Sequence, residues 1–201
     1  MSIQDITVII TSFRSGTKIK NCIQSIDKQI RVILVENSND LEFKKNIEKE
    51  FDNVECILTG ANLGYGRANN IGLKIVRTKY ALILNPDTTL HNDAIENFLK
   101  VTKKIKEFAI IGPYIQEEKN YKEKNNFDDL TAVPVINVKG FAMFLNLSEF
   151  KDIGFFDEDF FFYFEEIDLC KRLIDHGKKR NSLKKRWQKL VTCNTQANLK
   201  Y

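Results

Sequence analysis

Asp87 lies in the run Leu84-Asn85-Pro86-Asp87-Thr88, directly after the apolar stretch Tyr80 to Leu84. Pro86 stiffens the turn and removes a backbone donor, so the Asp87 carboxylate is presented at the end of a buried strand. A hard divalent cation needs only one or two protein carboxylates when ligand phosphates supply the rest of its shell. The same residues also make an ordinary Asx turn or helix N-cap. A second group, Gly60 to Asn70, is a glycine-rich turn opening into a helix, where backbone can approach a ligand and Arg67 with the helix N-terminus favours an anion. Its spacing is neither the dinucleotide fingerprint nor a P-loop, which argues against a dehydrogenase. The glycines equally serve a tight connection that needs positive φ.

The third group, Tyr163-Phe164-Glu165-Glu166-Ile167-Asp168, crowds three acids into the first turn of a helix after an aromatic run. Acids there complement the helix dipole. Like charges beside apolar rings also raise a carboxylate pKa, as a general base requires. Finally, Glu36-Asn37-Ser38-Asn39-Asp40 follows an apolar strand and offers hydrogen-bonding groups to a base or ribose, or simply a polar turn. His91 and His176 are the only histidines, too few for a histidine-rich metal site.

These residues need a frame that brings them together. Residues 6–11, 31–35, 54–58, 80–84 and 108–112 read as short buried strands. Between and after them, 17–27, 41–51, 67–76, 93–105 and 165–176 carry apolar residues at helical spacing. Alternation of this kind predicts an α/β fold: a doubly wound, mainly parallel sheet with helices on both faces and its ligand site at the carboxyl ends of the strands. Residues 116–130 are polar and without period, which reads as an exposed excursion; 135–147 returns to apolar character.

The 201 residues, 43% hydrophobic and 29% charged, suit one domain able to bury a sizeable core. No stretch approaches the roughly 20 apolar residues of a membrane helix, and the N-terminus lacks the plan of a signal peptide, so a cytoplasmic location is expected. The four cysteines, Cys22, Cys56, Cys170 and Cys193, form no C-x-x-C pair and read as reduced, buried thiols. The net charge of +4 conceals an asymmetry. Residues 178–201 hold eight Lys or Arg and no acid, leaving 23 basic against 27 acidic residues in the rest, a net −4. The expected organisation is therefore a domain over 1–177 and a basic tail over 178–201, disordered or altered in frame. Such a tail offers a peripheral contact with an anionic membrane face, or remains solvated. The acidic body and the lack of a recognition motif speak against a nucleic-acid partner.

Taken in order, the motifs resemble glycosyltransferase family 2 of the GT-A fold, and most closely its rhamnosyltransferase-like branch. The resemblance covers about Ile6 to Gly177. It rests on Thr11-Ser12-Phe13, Val35-Glu36-Asn37-Ser38, Asn62-Leu63-Gly64-Tyr65-Gly66 with Ala68-Asn69-Asn70, and Leu84-Asn85-Pro86-Asp87-Thr88. It continues with Lys139-Gly140-Phe141-Ala142-Met143, Ile153-Gly154-Phe155-Phe156-Asp157-Glu158 and Phe161 through Arg172.

The resemblance implies a GT-A, Rossmann-like sheet and an inverting enzyme. It implies that Thr11, Ser12, Phe13, Glu36, Asn37, Asn62, Gly64, Arg67, Asn70, Asn85 and Asp87 bind the nucleotide sugar, a dTDP- or UDP-sugar such as a rhamnose donor. Asp87 stands where the second acid of the family's D-x-D motif binds a divalent cation, Mg or Mn, and Asn85 takes the place of the first. Glu166 replaces the Asp of the family's E-D pair as general base, with Asp168 in reserve, and Glu36 also replaces a usual Asp. The acceptor is a glycan or a lipid-linked sugar, and the setting is polysaccharide or cell-envelope biosynthesis at the inner face of a membrane. Family members continue past the acidic helix with further strand and often a metal-completing histidine, whereas this chain runs into Lys178 to Tyr201. The alternative expectation is a truncated remnant that binds nucleotide but is catalytically impaired.

Overall fold

The computed structural model describes residues 2–105, 107–113, 130–184 and 191–193, with the side chains of 182–184 and 191–193 excepted. Its first half is strand-helix repetition: β1 (Ile6–Ser12), α1 (Lys18–Gln24), β2 (Arg31–Glu36), α2 (Leu41–Glu50), β3 (Val54–Leu58), α3 (Tyr65–Ile75) and β4 (Tyr80–Leu84). There follow β5 (Thr88–Leu90), α4 (Ala94–Lys104), β6 (Ile110–Pro113), β7 (Thr131–Pro134), β8 (Ala142–Asn146), α5 (Glu165–Asp175), β9 (Arg180–Lys184) and β10 (Val191–Cys193).

Eight strands form one sheet in the order β3-β2-β1-β4-β8-β6-β9-β7. Only β8 and β7 run against the other six, so the expected mainly parallel α/β sheet is what the chain builds. β1 lies between β2 and β4, in parallel register with both.

Alternation along β1 sends side chains to opposite faces. Ile6, Val8 and Ile10 join a core with Ile19, Cys22 and Ile23 of α1, Ile47 of α2 and Phe98 of α4. Ile9 joins a second core with Ala68 and Leu73 of α3 and with Leu169, Cys170 and Leu173 of α5. α1, α2 and α4 thus pack on one face and α3 and α5 on the other, while the strand order reverses at β1, between β2 and β4. At such a switch point the chain ends diverge and leave a crevice outside the carboxyl ends of β1 and β4.

Local chemistry sets several element ends. Asp40 caps α2, its Oδ1 accepting from Phe43 N at 2.8 Å. Gly177, φ 67, ends the last turn after α5 in the left-handed conformation that glycine adopts freely.

One boundary departs from expectation. Arg180–Lys184, read as the start of a tail, takes a place in the sheet between β6 and β7. Its backbone satisfies an edge that β6 would otherwise leave open, and Asn181 is buried there. The sequence R-N-S-L-K has no apolar run, so the pairing was not legible from pattern. β10 likewise pairs with β5, a two-strand ribbon apart from the main sheet. The expected excursion at 116–130, Leu130 excepted, and the tail residues 185–190 and 194–201 lie outside the described residues. Among the described residues no helix is long and apolar enough to cross a membrane. Cys22, Cys56 and Cys170 are buried free thiols, as expected, and burial pushes Cys22 and Cys56 each up to about 12.

Candidate active site

The carboxyl ends of β1 and β2 place Ser12 opposite Glu36. Glu36 is buried, and its carboxylate collects three donors: Ser12 Oγ at 2.7 Å, Ser38 Oγ at 2.6 Å and Arg14 N at 3.4 Å. Thr11 is buried beside them, its hydroxyl without a hydrogen-bond partner among the described residues. Phe13 is 45% exposed, with the Arg14 guanidinium 5.3 Å from its ring centre. Thr11, Ser12, Phe13 and Glu36 thus lie at or just past the ends of β1 and β2. The structure adds that Glu36 organises the turn after β1.

Asn37 and Asn62, expected at the nucleotide, pin the glycine-rich turn. Asn37 Nδ2 donates to Asn62 Oδ1 at 2.8 Å and to Gly64 O at 3.1 Å, and its Oδ1 accepts from Leu63 N at 2.9 Å. Asn62 Oδ1 also accepts from Gly64 N. Gly64, φ 85, was expected to leave room for a ligand. A Cβ there would meet the carbonyl oxygen of Phe161 at 2.3 Å, so the room belongs to the protein itself.

Arg67 and Asn70 on α3 are turned the same way. Arg67 Nε donates to Glu158 O at 2.7 Å. Asn70 Nδ2 donates to Phe156 O and Glu158 Oε1, while its Oδ1 accepts from Phe156 N at 3.1 Å. Side-chain amides satisfied on both ends are clamps. These two hold the segment after residue 155 against α3, at a sequence separation that no local pattern reveals.

The β4 end turns at Asn85, whose N donates to Phe141 O at 2.9 Å and whose carbonyl accepts from Thr88 N. Asn85 Oδ1 is buried with no partner among the described residues, an orphaned acceptor beside Asp87. Among those residues no three His, Cys, Asp or Glu side chains gather where they could hold a metal on their own. One carboxylate and an orphaned amide oxygen suit a cation that takes its remaining ligands from a diphosphate.

Across the crevice, α5 begins at Glu165 with Phe164 before it in the left-handed conformation, φ 70. Tyr163 precedes it at φ 69. Two successive bulky residues at positive φ cost about 1–3 kcal/mol each. Glu165 and Glu166 each carry a buried Oε2 without a partner among the described residues. Asp168 does not share this condition: its Oδ2 accepts from Arg172 Nε at 2.7 Å, and Arg172 also holds the carbonyls of Ile153 and Phe155. The reserve base is therefore an ion-paired strut.

Tyr65, at the start of α3, links the two sides. Its hydroxyl donates to Gly140 O at 2.9 Å, and a Cβ on Gly140 would lie 3.6 Å from the Glu166 carboxyl carbon. Burial raises the Tyr65 hydroxyl far above its ordinary value. The charge of Glu165 adds to this, a hydrogen bond with Asn69 opposes it, and Glu166 and Asp87 add further. Asp87 and Glu166, 79 positions apart in the sequence, both add to that upward push. The sequence pattern offers Glu165 only as one of three acids at the helix start, and Tyr65 and Gly140 only as members of longer motifs; the tyrosine between two motif glycines was the available signal.

A mainly parallel sheet whose order reverses at β1, with an acid after β4 and an acid-rich start to α5, is the arrangement of a GT-A-fold protein. The chain belongs to glycosyl transferase family 2, whose family model matches residues 7–170. It is 27% identical over 192 residues to the low-salt glycan biosynthesis hexosyltransferase Agl10 of Haloferax volcanii, an alignment covering 85% of this chain and 62% of that protein. It is 26% identical over 201 residues to the rhamnosyltransferase WbbL of Escherichia coli, covering 83% and 75%. Among solved structures it resembles the mannosyltransferase PcManGT of Pyrobaculum calidifontis in complex with GDP-Man and Mn2+. That match has a TM-score of 0.72 at 12% identity and covers 88% of this chain and 53% of the other. The chain thus spans less than two thirds of Agl10 and about half of PcManGT.

Proposed function

We propose that this chain carries the donor site and base of an inverting glycosyltransferase. It would move a sugar, rhamnose among the candidates, from a nucleotide-diphosphate sugar to a hydroxyl of a glycan or lipid-linked acceptor. The observation that carries the reading is that residues 140–141 join the two motifs: Asn85 N, beside Asp87, donates to Phe141 O at 2.9 Å, and a Cβ on Gly140 would lie 3.6 Å from the Glu166 carboxyl carbon. One group suits a cation-diphosphate pair; the other is a carboxylate with an oxygen that has no partner among the described residues.

Asp87, with Asn85 Oδ1, would hold the divalent cation. Bound there, such a cation neutralises the charge developing on a departing diphosphate. Glu166 takes the proton of the acceptor hydroxyl as its oxygen bonds to the anomeric carbon and the bond from that carbon to the diphosphate breaks. Tyr65, through Gly140, holds the backbone over Glu166 so that the carboxylate keeps one position, a matter in which about 1 Å costs about 100-fold. Thr11, Ser12 and Glu36 form the floor of the nucleotide side, and Asn37, Asn62, Arg67 and Asn70 support it from behind. Manganese in the PcManGT complex and the transferase names of the relatives support this reading.

Release of nucleoside diphosphate from UDP-, dTDP- and GDP-sugars, measured with manganese and with neutral and lipid-linked sugar acceptors, tests it. The expected result is acceptor-stimulated release from one donor, lost in Glu166→Gln. Nucleotide binding without release from any donor would instead assign the chain to the impaired, nucleotide-binding alternative.

A further inference from the structure

Phe161, Phe162, Tyr163 and Phe164 are consecutive, and each is more than half exposed, at 59, 57, 51 and 55%. Large apolar side chains on a protein surface are ordinarily scattered; a contiguous patch with a polar rim marks an interaction site. This patch is not a loose end. Phe161 O accepts from Tyr65 N at 3.0 Å, and Phe164 O accepts from Asp168 N at 2.9 Å. Between these anchors the backbone turns left-handed at Tyr163 and Phe164, a conformation bulky residues avoid. The chain is held in an unfavourable shape and the rings still face outward. Strain of this kind is the observation from which a functional role is inferred.

The surrounding charge narrows the occupant. Asp157 and Asp159, both exposed, precede the strap in the chain, and the half-buried Glu166 follows it. Among the described residues, Lys74 is paired with Glu158 and Arg172 with Asp168, while Arg67 is held on the Glu158 carbonyl. An acid-rimmed aromatic surface repels anionic lipid headgroups and phosphate backbones. It suits an uncharged, hydroxyl-bearing molecule with apolar C–H faces, the mixture of ring contact and a few polar groups found in small-molecule sites. We propose that the strap of residues 161–164 is a platform for a neutral sugar ring of the acceptor, laid against the aromatic side chains with its hydroxyls toward the flanking carboxylates. This rests on the transferase reading above and adds the chemical class of the acceptor group. An acceptor whose reacting ring is anionic would be disfavoured.

Saturation-transfer NMR of the full chain tests it. The probes are the methyl glycosides of glucose, N-acetylglucosamine, mannose and rhamnose, with and without UDP, dTDP or GDP plus manganese. The expected result is transfer to the ring protons of at least one glycoside, reduced about fivefold or more in a Phe161→Ser, Phe162→Ser double variant and kept in Phe162→Tyr. Both positions are exposed, and an unchanged melting temperature verifies that the variants fold. No transfer to any glycoside, or equal transfer to the double variant, overturns the platform. So does co-sedimentation with phosphatidylglycerol vesicles that the double variant loses, which would assign the strap to a lipid surface. Melting with and without nucleotide separates the two readings: a chain that responds to nucleotide but to no glycoside overturns the platform alone, and one that responds to no nucleotide overturns the transferase reading.

Discussion

Ser12 and Glu36 stand in register across β1 and β2, and the serine hydroxyl donates to Glu36 Oε2 at 2.7 Å. A carboxylate this buried is tolerable only because its oxygens are engaged, here by two hydroxyls and a backbone N–H. It therefore fixes the turn that carries Phe13 and Arg14 toward the crevice. Glu36→Ala leaves two hydroxyls and an N–H without their acceptor and is expected to destabilise the chain by about 2 kcal/mol, in the range for hydrogen bonds to a charged group. Urea denaturation measures this directly; a loss below about 0.5 kcal/mol would show that water replaces the carboxylate without cost.

Gly64→Ala places a methyl group on the Phe161 carbonyl in a backbone region that disfavours any side chain. The contact is with backbone, so relief requires movement of the segment that leads to α5. A fall in stability of about 1–3 kcal/mol is expected, seen as a lower melting temperature. An unchanged melting temperature would mean the 161–164 segment is not held where the structure places it.

Glu166→Gln and Asp168→Asn separate base from strut. Loss of a general base costs about 10²–10⁴-fold in turnover. Asp168 has its carboxylate on Arg172, and its amide variant should keep turnover within about tenfold of the parent while lowering stability by up to about 1 kcal/mol. Initial-rate assays on the two variants decide it, and equal losses would return Asp168 to the chemistry.

Glu165 predicts a pH dependence. Burial pushes its carboxyl above the ordinary 4.5; a hydrogen bond from its own backbone N–H opposes this and the Glu166 charge adds to it. A group whose value is raised on folding contributes fully below its unfolded value and loses that contribution as pH rises through the folded one. Glu165→Gln cannot ionise, so its stability relative to the parent should increase as pH is raised from 4.5. Denaturation midpoints across that range check the sign; a gap that is flat or closes would place Glu165 in contact with water.

The strands and helices that surround the site announce themselves in the sequence because β-branched runs such as Ile6 to Ile10 must be buried on both faces. That burial fixes which turns lie at their carboxyl ends, so the positions of Ser12, Glu36 and Asp87 followed from pattern. β5, β7 and β9 did not, since each is short and owes its existence to a neighbour's unpaired backbone. The part played by individual polar residues was harder still. Asn70 looks like a nucleotide contact until its partner, Phe156, is known to lie 86 residues further on. Asp168 and Glu166 are indistinguishable by type and spacing, and only the placement of Arg172 parts them. Tyr65 went unread because a half-buried tyrosine at a helix start looks like packing until its hydroxyl is seen on Gly140.

A thermal-shift titration tests the central claim, a cation-assisted nucleotide site at the β4 end, without requiring the acceptor. UDP, dTDP and GDP are each added with and without manganese to the parent and to Asp87→Ala. Ligand at 100 times its dissociation constant stabilises a folded chain by about 2.7 kcal/mol, a shift of several degrees. The account predicts that one nucleotide raises the melting temperature only when manganese is present, and that Asp87→Ala loses the response while still melting cooperatively. A cooperative transition that no nucleotide moves, or a response that survives in Asp87→Ala, would contradict it.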